Sequence, residues 1–460
     1  MASMFLSRFK RLKSGDSSKE PVFLRFRSSK RFIIGVVVNS IFVDIVLYGV
    51  IVPVVPAALH TKIHPTVHQV QQWTSILLAL YGVALLFLAP VAGFIADRTK
   101  SRKKPFLVGL LNLAGATSFL FFGSRLPFWI IGRLLQGASA AVVWTVGLAI
   151  IVDTAGKKHL GESLGFASMA ATLGVMCGPA VYEHGGYHAV FGMSYGLVAV
   201  DIALKLSIIE RKQAAKWLDI EIHETAESPV DSDPKIHFRS IRILLSSRRI
   251  IPITWSYFVS ALVLSAFDSI LPLYIENLFH WKQTAQGLIF IPLSVPNVLG
   301  PVVGIIIDKY DKSRRFLCSG AFLACTPNLV LLRLITKDTF GHKVLLCALL
   351  GLIGLCVTIV LPSMTVEVSL TVKEKEEESP DIFGKGGAMA LAHGIVNASF
   401  ATGLIAGPFF AGFIRQAAGW GAATWAVSIV TGVTAIPMVL LLGGPIWERR
   451  DEKVEEHPSA

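Results

Sequence analysis

The feature that most constrains this sequence is a series of long apolar runs separated by short charged blocks. A helix needs about 20 predominantly apolar residues to cross a bilayer core, where every backbone polar group must be satisfied internally. Charged residues make up only 16% of the chain, against about a quarter in soluble domains. We therefore predict an all-α membrane protein with twelve transmembrane helices, at residues 32–58, 73–96, 105–124, 127–152, 161–182, 188–209, 250–275, 284–308, 315–335, 342–370, 387–413 and 420–445.

Basic residues indicate the orientation of these spans. With the N-terminus placed in the cytoplasm, 34 of the 43 lysine and arginine residues fall on the cytoplasmic side. This asymmetry predicts that both termini are cytoplasmic and disfavours a nucleic-acid groove, which needs one continuous basic surface. The predicted organisation is a basic tail, a six-helix half, a cytoplasmic linker, a second six-helix half and a cytoplasmic tail, at residues 1–31, 32–209, 210–249, 250–445 and 446–460.

The two halves repeat each other. The segment Gly93–Lys104 after the second span has a counterpart in Gly304–Arg315 after the eighth, and Gly178-Pro179 in the fifth span is repeated as Gly407-Pro408 in the eleventh. Parallel six-helix repeats place a substrate cavity between the halves, near the middle of the bilayer. We predict two pseudo-symmetric halves with such a cavity.

Three motifs carry a family resemblance. Gly93–Lys104 resembles the G-x-x-x-D-R-x-x-R-[RK] signature of the major facilitator superfamily, Arg133–Gly137 resembles its R-x-x-Q-G element, and Gly174–Pro179 resembles the G-x-x-x-G-P motif of its antiporter branch. The sequence is thereby identified as a member of that superfamily. The resemblance implies the major facilitator fold and transport by alternating access.

The resemblance also implies roles for individual residues. A conformational latch is implied for Gly93, Asp97, Arg98, Arg102, Asp308 and Arg314, the alternative being ordinary positive-inside anchoring. Helix packing or the antiporter motif is implied for Gln136, Gly137, Gly174, Gly178, Pro179, Gly407 and Pro408.

Ionisable residues inside apolar spans are expensive and mark functional sites. Asp44 lies in the first span and Asp268 at the corresponding place in the seventh, so we expect both to face the central cavity. A carboxyl group that is neutral in one state and ionised in another can couple proton flow to substrate release. The positions resemble those of acids in twelve-span drug:proton antiporters and vesicular amine transporters. Arg133 is predicted to take part in proton transfer or acid pairing, and Tyr48 to contact an aromatic or cationic substrate.

Other polar residues leave alternatives open. Asn397 stands where the amine transporters carry an aspartate, with His393 one turn earlier, so monoamine specificity is in doubt. Glu367 is a candidate third acid. Asp153 and Asp201 are interpreted as interfacial, and the run Lys373–Glu378 as solvated.

The predicted function is proton-coupled antiport that exports a small organic compound, a drug or a secondary metabolite. The alternatives are uptake or facilitated transport of a nutrient or organic ion, vacuolar or vesicular amine sequestration, and a non-transporting receptor. We expect no catalytic site, no metal and no cofactor other than a proton gradient. The expected partners are substrate, protons and lipid, and we expect a monomer in the plasma membrane, with the vacuolar membrane as the alternative.

Overall fold

The computed structural model describes residues 21–58, 67–210, 234–310 and 313–442, except positions 22, 100, 282, 381 and 385, and also positions 214 and 217. Most of the predicted N-terminal tail and linker, and the whole predicted C-terminal tail, lie outside the described residues. Within them, twelve helices are long and apolar enough to cross a membrane. The predicted all-α, twelve-span architecture is confirmed.

The first half contains six spans. Its α-helices are Leu24–Arg27, Lys30–Ala58, Val67–Arg98, Lys103–Phe122, Leu126–Ala155 and Leu160–Ser207, with a 3₁₀ turn at Lys157–His159. Helix Leu160–Ser207 holds both the fifth span, Leu160–Cys177, and the sixth, Gly185–Ser207. The chain kinks at Gly186, the second residue of the sixth span, whose φ of 66° is easily adopted only by glycine.

The second half follows the linker. Its α-helices are Pro234–Leu245, Ile250–Phe279, Gln283–Leu288, Phe290–Ser294, Gly300–Lys309, Ser313–Leu331, Phe340–Glu378, Met389–Ala418 and Trp420–Leu441, with 3₁₀ turns at Val295–Leu299 and Leu332–Leu334. The eighth span is thus built from several short pieces. Pro292, Pro296 and Pro301 lack the N–H that would continue an α-helical ladder, which explains the interruptions.

The tenth span is longer than predicted. Its helix runs from Phe340 to Glu378 rather than ending near residue 370. The interpretation of Lys373–Glu378 as simply solvated is wrong, because Glu374 forms an ion pair with Arg249 and Glu376 accepts a hydrogen bond from the Ala388 N–H at 3.2 Å. Carboxylates at these positions satisfy polar groups of neighbouring segments.

The halves meet along two pairs of spans, the second with the eleventh and the fifth with the eighth. Their backbones approach so closely that side chains are excluded: a Cβ on Gly93 would lie 2.4 Å from the Ala390 carbonyl oxygen, and one on Gly165 would lie 2.2 Å from that of Gly300. Large apolar side chains, including Phe87, remain exposed on the outside. Such an apolar exterior is suited to lipid.

Candidate functional site

Asp44 lies in the middle of the first span and is completely buried. Among the described residues, neither of its carboxylate oxygens has a partner within hydrogen-bond geometry, and the Trp144 indole is the adjacent side chain that can donate to it. The charged groups that act on it are Arg133 and Asp201. The sequence predicted that Asp44 faces a central cavity, whereas in this structure it is enclosed within the first half.

Arg133 lies beside this acid on the fourth span and is also fully buried. Its Nε donates to the Leu77 carbonyl at 2.9 Å and its Nη1 donates to Gln136 Oε1 at 2.6 Å. The guanidinium lies 5.6 Å from the centre of the Tyr48 ring and 5.0 Å from that of Tyr81. Nη2 has no partner among the described residues. The Nη2 group of Arg133 is therefore available to donate a hydrogen bond to a further acceptor.

Asp268 lies on the seventh span and is exposed. Its charge nevertheless acts on Tyr48 of the opposite half. An exposed carboxyl group that is close to the other half faces the space between the halves rather than the lipid. Tyr48 therefore stands between the two predicted acids, with Asp44 one helical turn away on its own helix.

Asn397 and His393 lie on the eleventh span. Asn397 Nδ2 is 3.5 Å from Thr145 Oγ1 on the fourth span, a contact between the halves. His393 is fully buried, with Nε2 3.2 Å from Ser369 Oγ, and Nδ1 has no hydrogen-bond partner in the described ranges. These two side chains are thus placed at helix contacts.

Glu367 is held in an ion-pair cluster at the end of the bundle that carries the linker, which we call the linker face. Its two oxygens accept from Arg249 Nη2 at 2.6 Å and from Arg314 Nε at 3.1 Å. Burial lowers the pKa of Arg249, but the carboxylates of Glu367 and Glu374 outweigh burial and raise it. A glutamate fixed by two guanidinium groups is placed to hold the second half together, which departs from the predicted third acid.

The first latch sequence forms a helix cap across the halves. The Asp97 carboxylate, at the end of the second span, accepts from the backbone N–H groups of Ala390 at 3.0 Å and Leu391 at 2.8 Å. These groups open the eleventh helix, where unpaired N–H donors and the helix dipole favour an anion. Arg102 joins Asp97 to Asp153, each at 3.2 Å. Asp153 is about half exposed at the end of the fourth helix, in keeping with its interpretation as interfacial, and the ion pair adds a contact with Arg102 there.

The second latch sequence repeats this arrangement in the opposite sense. Asp308, at the end of the eighth span, accepts from the N–H groups of Gly161 at 2.7 Å and Glu162 at 2.9 Å, which open the fifth helix. Gly304 allows this approach, because a Cβ there would lie 2.1 Å from the Gly161 oxygen. Each half therefore caps a helix of the other, and the linker face is closed.

The remaining motif residues lie at helix contacts. A Cβ on Gly174 would lie 2.9 Å from the Phe42 oxygen of the first span, and one on Gly137 would lie 2.4 Å from the Tyr81 oxygen of the second. On the eleventh helix, which also contains Pro408, a Cβ on Gly407 would lie 2.1 Å from Ser265 Oγ of the seventh span. Gly178 and Pro179 lie where the structure does not describe side chains. The ring of Phe94 lies 4.1 Å below the Arg98 guanidinium.

Sequence reasoning missed a second buried polar group in the first half. Asp201 was interpreted as interfacial, which is wrong: it is fully buried and accepts from Asn39 Nδ2 at 3.0 Å and Ser40 Oγ at 2.9 Å. Lys205, one turn further on, is 1% exposed. A signal was available in the pairing of Asn39-Ser40 on the first span with an acid and a lysine four residues apart on the sixth.

Comparisons with known proteins agree with this architecture. The profile of the Major Facilitator Superfamily matches residues 37–379. An MFS-type transporter of Schizosaccharomyces pombe is 34% identical over 413 residues, covering 86% of this chain and 92% of the relative. Multidrug resistance protein 2 of Bacillus subtilis is 27% identical over 307 residues, covering 63% and 71%. The crystal structure of the human organic anion transporter MFSD10 (TETRAN) shares the fold, with a TM-score of 0.72 at 15% identity, covering 89% of this chain and 99% of that one.

The profile covers the first half from residue 37 and the second half through the tenth span, and it includes both latch sequences. The chain belongs to the Major Facilitator Superfamily and is a multi-pass membrane transporter.

Proposed function

We propose that this protein is a proton-coupled antiporter that exports small organic cations or protonatable compounds across the plasma membrane. The observation that carries the proposal is the enclosed carboxyl group of Asp44, whose oxygens have no hydrogen-bond partner among the described residues. An ionised carboxylate in that setting is strongly disfavoured, and a protonated one is tolerated. Asp44 is therefore suited to holding a proton while it is enclosed and to releasing it during the transport cycle.

Two neighbours fit this role. Arg133 acts electrostatically on Asp44 and keeps Nη2 unpartnered, so it can stabilise the carboxylate once the proton has left. Tyr48 and Tyr81, with ring centres 4.8 Å apart, form an aromatic wall next to the guanidinium. A cationic substrate between Tyr48 and Asp268 would gain attraction from both the ring and the carboxylate.

The direction of transport follows from charge and from a relative. The lysine and arginine distribution supports a cytoplasmic linker face. The likeness to a bacterial multidrug resistance protein favours export over nutrient uptake. We propose that the protein works as a monomer, since the space between the halves is formed by one chain.

The test uses purified protein in acid-interior proteoliposomes, with ethidium as the transported probe and a trapped dye reporting internal pH. The wild type is expected to accumulate ethidium while protons leave. Asp44→Asn is expected to reduce both signals to those of protein-free liposomes and to retain ethidium exchange without a gradient. Asp338→Asn, at an exposed acid paired with Lys343, is the matched control and should behave as the wild type. Wild-type ethidium accumulation by Asp44→Asn would refute the proposal.

A further inference from the structure

A row of enclosed ionisable groups leads from Asp44 towards the linker face, and the motifs do not account for it. Asp44, Asp201 and Lys205 are each at most 1% exposed. Within the part of the chain that the structure describes, each also carries at least one polar atom with no hydrogen-bond partner: both oxygens of Asp44, Oδ2 of Asp201 and Nζ of Lys205. Buried polar groups ordinarily have hydrogen-bond partners, so a series of buried polar atoms without partners in one half of the molecule needs an explanation.

Helix geometry connects these groups. Ser40 precedes Asp44 by four residues on the first span, which places them on one helix face about 6 Å apart along the axis. The Ser40 hydroxyl donates to Asp201 at 2.9 Å. Asp201 and Lys205 are likewise four residues apart on the sixth span. The row therefore follows the first span from Asp44 to Ser40, crosses to the sixth span at Asp201, and continues along that span to Lys205.

The row ends at the linker face. The Lys205 Nζ lies 3.5 Å from the centre of the Phe106 ring on the third span. One turn earlier on that helix, Lys103 Nζ donates to the Leu206 and Ile208 carbonyls, and the Lys103 N–H donates to Glu210 Oε1. Glu210 also accepts from Ser101 Oγ at 2.5 Å. Glu210 is the first partly exposed acid that the row reaches.

We propose that Asp44 exchanges its proton with the linker side through Ser40, Asp201 and Lys205, inside the first half and without opening the space between the halves. This inference rests on the proposed function of Asp44. Since Asp44 has no exposed atom in the closed state, a path through the helices is the route by which it can release a proton there. The groups that face the row are Arg133 and Tyr81 at Asp44, Asn39 at Asp201, and Lys103 and Glu210 at Lys205.

The proton balance is simple. The Asp44 carboxyl proton passes to the Ser40 oxygen, directly after a rotamer change or through one bridging water, while the Ser40 proton passes to the Asp201 carboxylate. Asp201 then protonates neutral Lys205, and the resulting ammonium releases its proton to Glu210 and the water beyond. One proton moves from Asp44 to the linker face, which leaves Asp44 as a carboxylate, while Ser40, Asp201 and Lys205 each return to their starting form. Enclosed lysines change protonation readily, so Lys205 suits this role.

The competing explanation is a structural charge pair between Asp201 and Lys205, and paired substitutions separate the two. Lys205→Met and Asp201→Asn leave one buried group uncompensated, whereas the double variant removes both charges. If the pair is only structural, the double variant should recover transport, because replacing both members of a buried pair is often tolerated. If it is a relay, the double variant should remain inactive in gradient-driven transport.

The experiment uses the proteoliposome assay with ethidium. We expect Lys205→Met and the double variant to lower gradient-driven uptake at least ~10-fold while ethidium exchange without a gradient stays within about twofold of wild type. Recovery of gradient-driven uptake in the double variant would overturn the relay, as would wild-type uptake by Lys205→Met. Ser40→Ala, which removes the hydroxyl alone, should show the same split between uptake and exchange, and wild-type uptake by it would count against the relay.

The same series separates this inference from the proposed function. If Asp44→Asn abolishes gradient-driven uptake and the Asp201 and Lys205 variants do not, antiport stands and the relay fails. If Asp44→Asn transports normally, the proposed function fails first.

Discussion

Asp97→Asn should open the linker face. The carboxylate is nearly enclosed, with 4% of its side chain exposed, and accepts two backbone N–H groups at the start of the eleventh helix. Hydrogen bonds to a charged group contribute about 1.5–3 kcal/mol each, and a charge at a helix N-terminus contributes about 0.3–1 kcal/mol. Asparagine keeps one acceptor oxygen and loses the charge, so we expect the closed state to lose about 3 kcal/mol.

The free energy lost by the closed state determines how the ratio of closed to open molecules changes. Each 1.4 kcal/mol is a factor of ten, so about 3 kcal/mol changes the closed-to-open ratio ~140-fold. A protein that is closed about 99% of the time would become roughly evenly divided. Asp308→Asn should act similarly, because Asp308 makes the corresponding two bonds in the opposite direction.

The measurement is a distance distribution between spin labels on opposite halves of the linker face, at Lys158 and Glu378, both exposed. The native cysteines are first replaced. Asp97→Asn should add a second, longer-distance population, and Asp338→Asn, at the other end of the bundle, should leave the distribution unchanged. A distribution for Asp97→Asn that matches the wild type, in protein that still reconstitutes and exchanges ethidium, would refute the latch argument.

Two further outcomes are expected. Glu367→Gln leaves the guanidinium groups of Arg249 and Arg314 without a buried counter-charge, so it should destabilise the purified protein by about 3–5 kcal/mol. The midpoint of thermal unfolding measures this, and an unchanged midpoint relative to Glu378→Gln at an exposed acid would contradict it. Gly93→Ala should hinder closure, because its Cβ would lie 2.4 Å from the Ala390 oxygen, whereas Gly115→Ala has nothing within 4 Å. The same spin-label pair reports it, and identical distributions for the two alanine variants would rule out the close-approach argument.

The spans and the latch could be predicted because their signals are local. A long apolar run predicts a membrane span whatever lies around it, and Asp97 and Asp308 each stand in a recognisable motif. Hydropathy alone could not show that the eighth span is built from pieces, because Pro292 and Pro296 lie in an otherwise continuous apolar run. The breaks depend on the backbone and not on polarity.

The burial of Asp201 could not be predicted because it depends on another helix. Six residues from the end of its span, an aspartate can turn towards water or towards a partner, and the sequence of the sixth span does not decide which. The side chains of Asn39 and Ser40 on the first span donate hydrogen bonds to Asp201, and these bonds direct the carboxylate towards the protein interior. For the same reason the sequence of the tenth span leaves Glu367 as a candidate third acid, because it does not show that Arg249 and Arg314 lie beside that carboxylate.

The tenth helix is long enough for its ends to extend beyond the hydrocarbon core. At about 1.5 Å per residue its 39 residues extend about 58 Å, nearly twice the ~30 Å hydrocarbon core, so its last turns project from the bundle. Glu374 and Glu376 tie these turns to Arg249 and to Ala388. A tilt of about 10° around the membrane centre would move a tip ~29 Å away by roughly 5 Å, about one helical turn. Rocking of the second half would therefore displace the end of the tenth helix outside the membrane. An antibody fragment bound to that end could hold the transporter in one state.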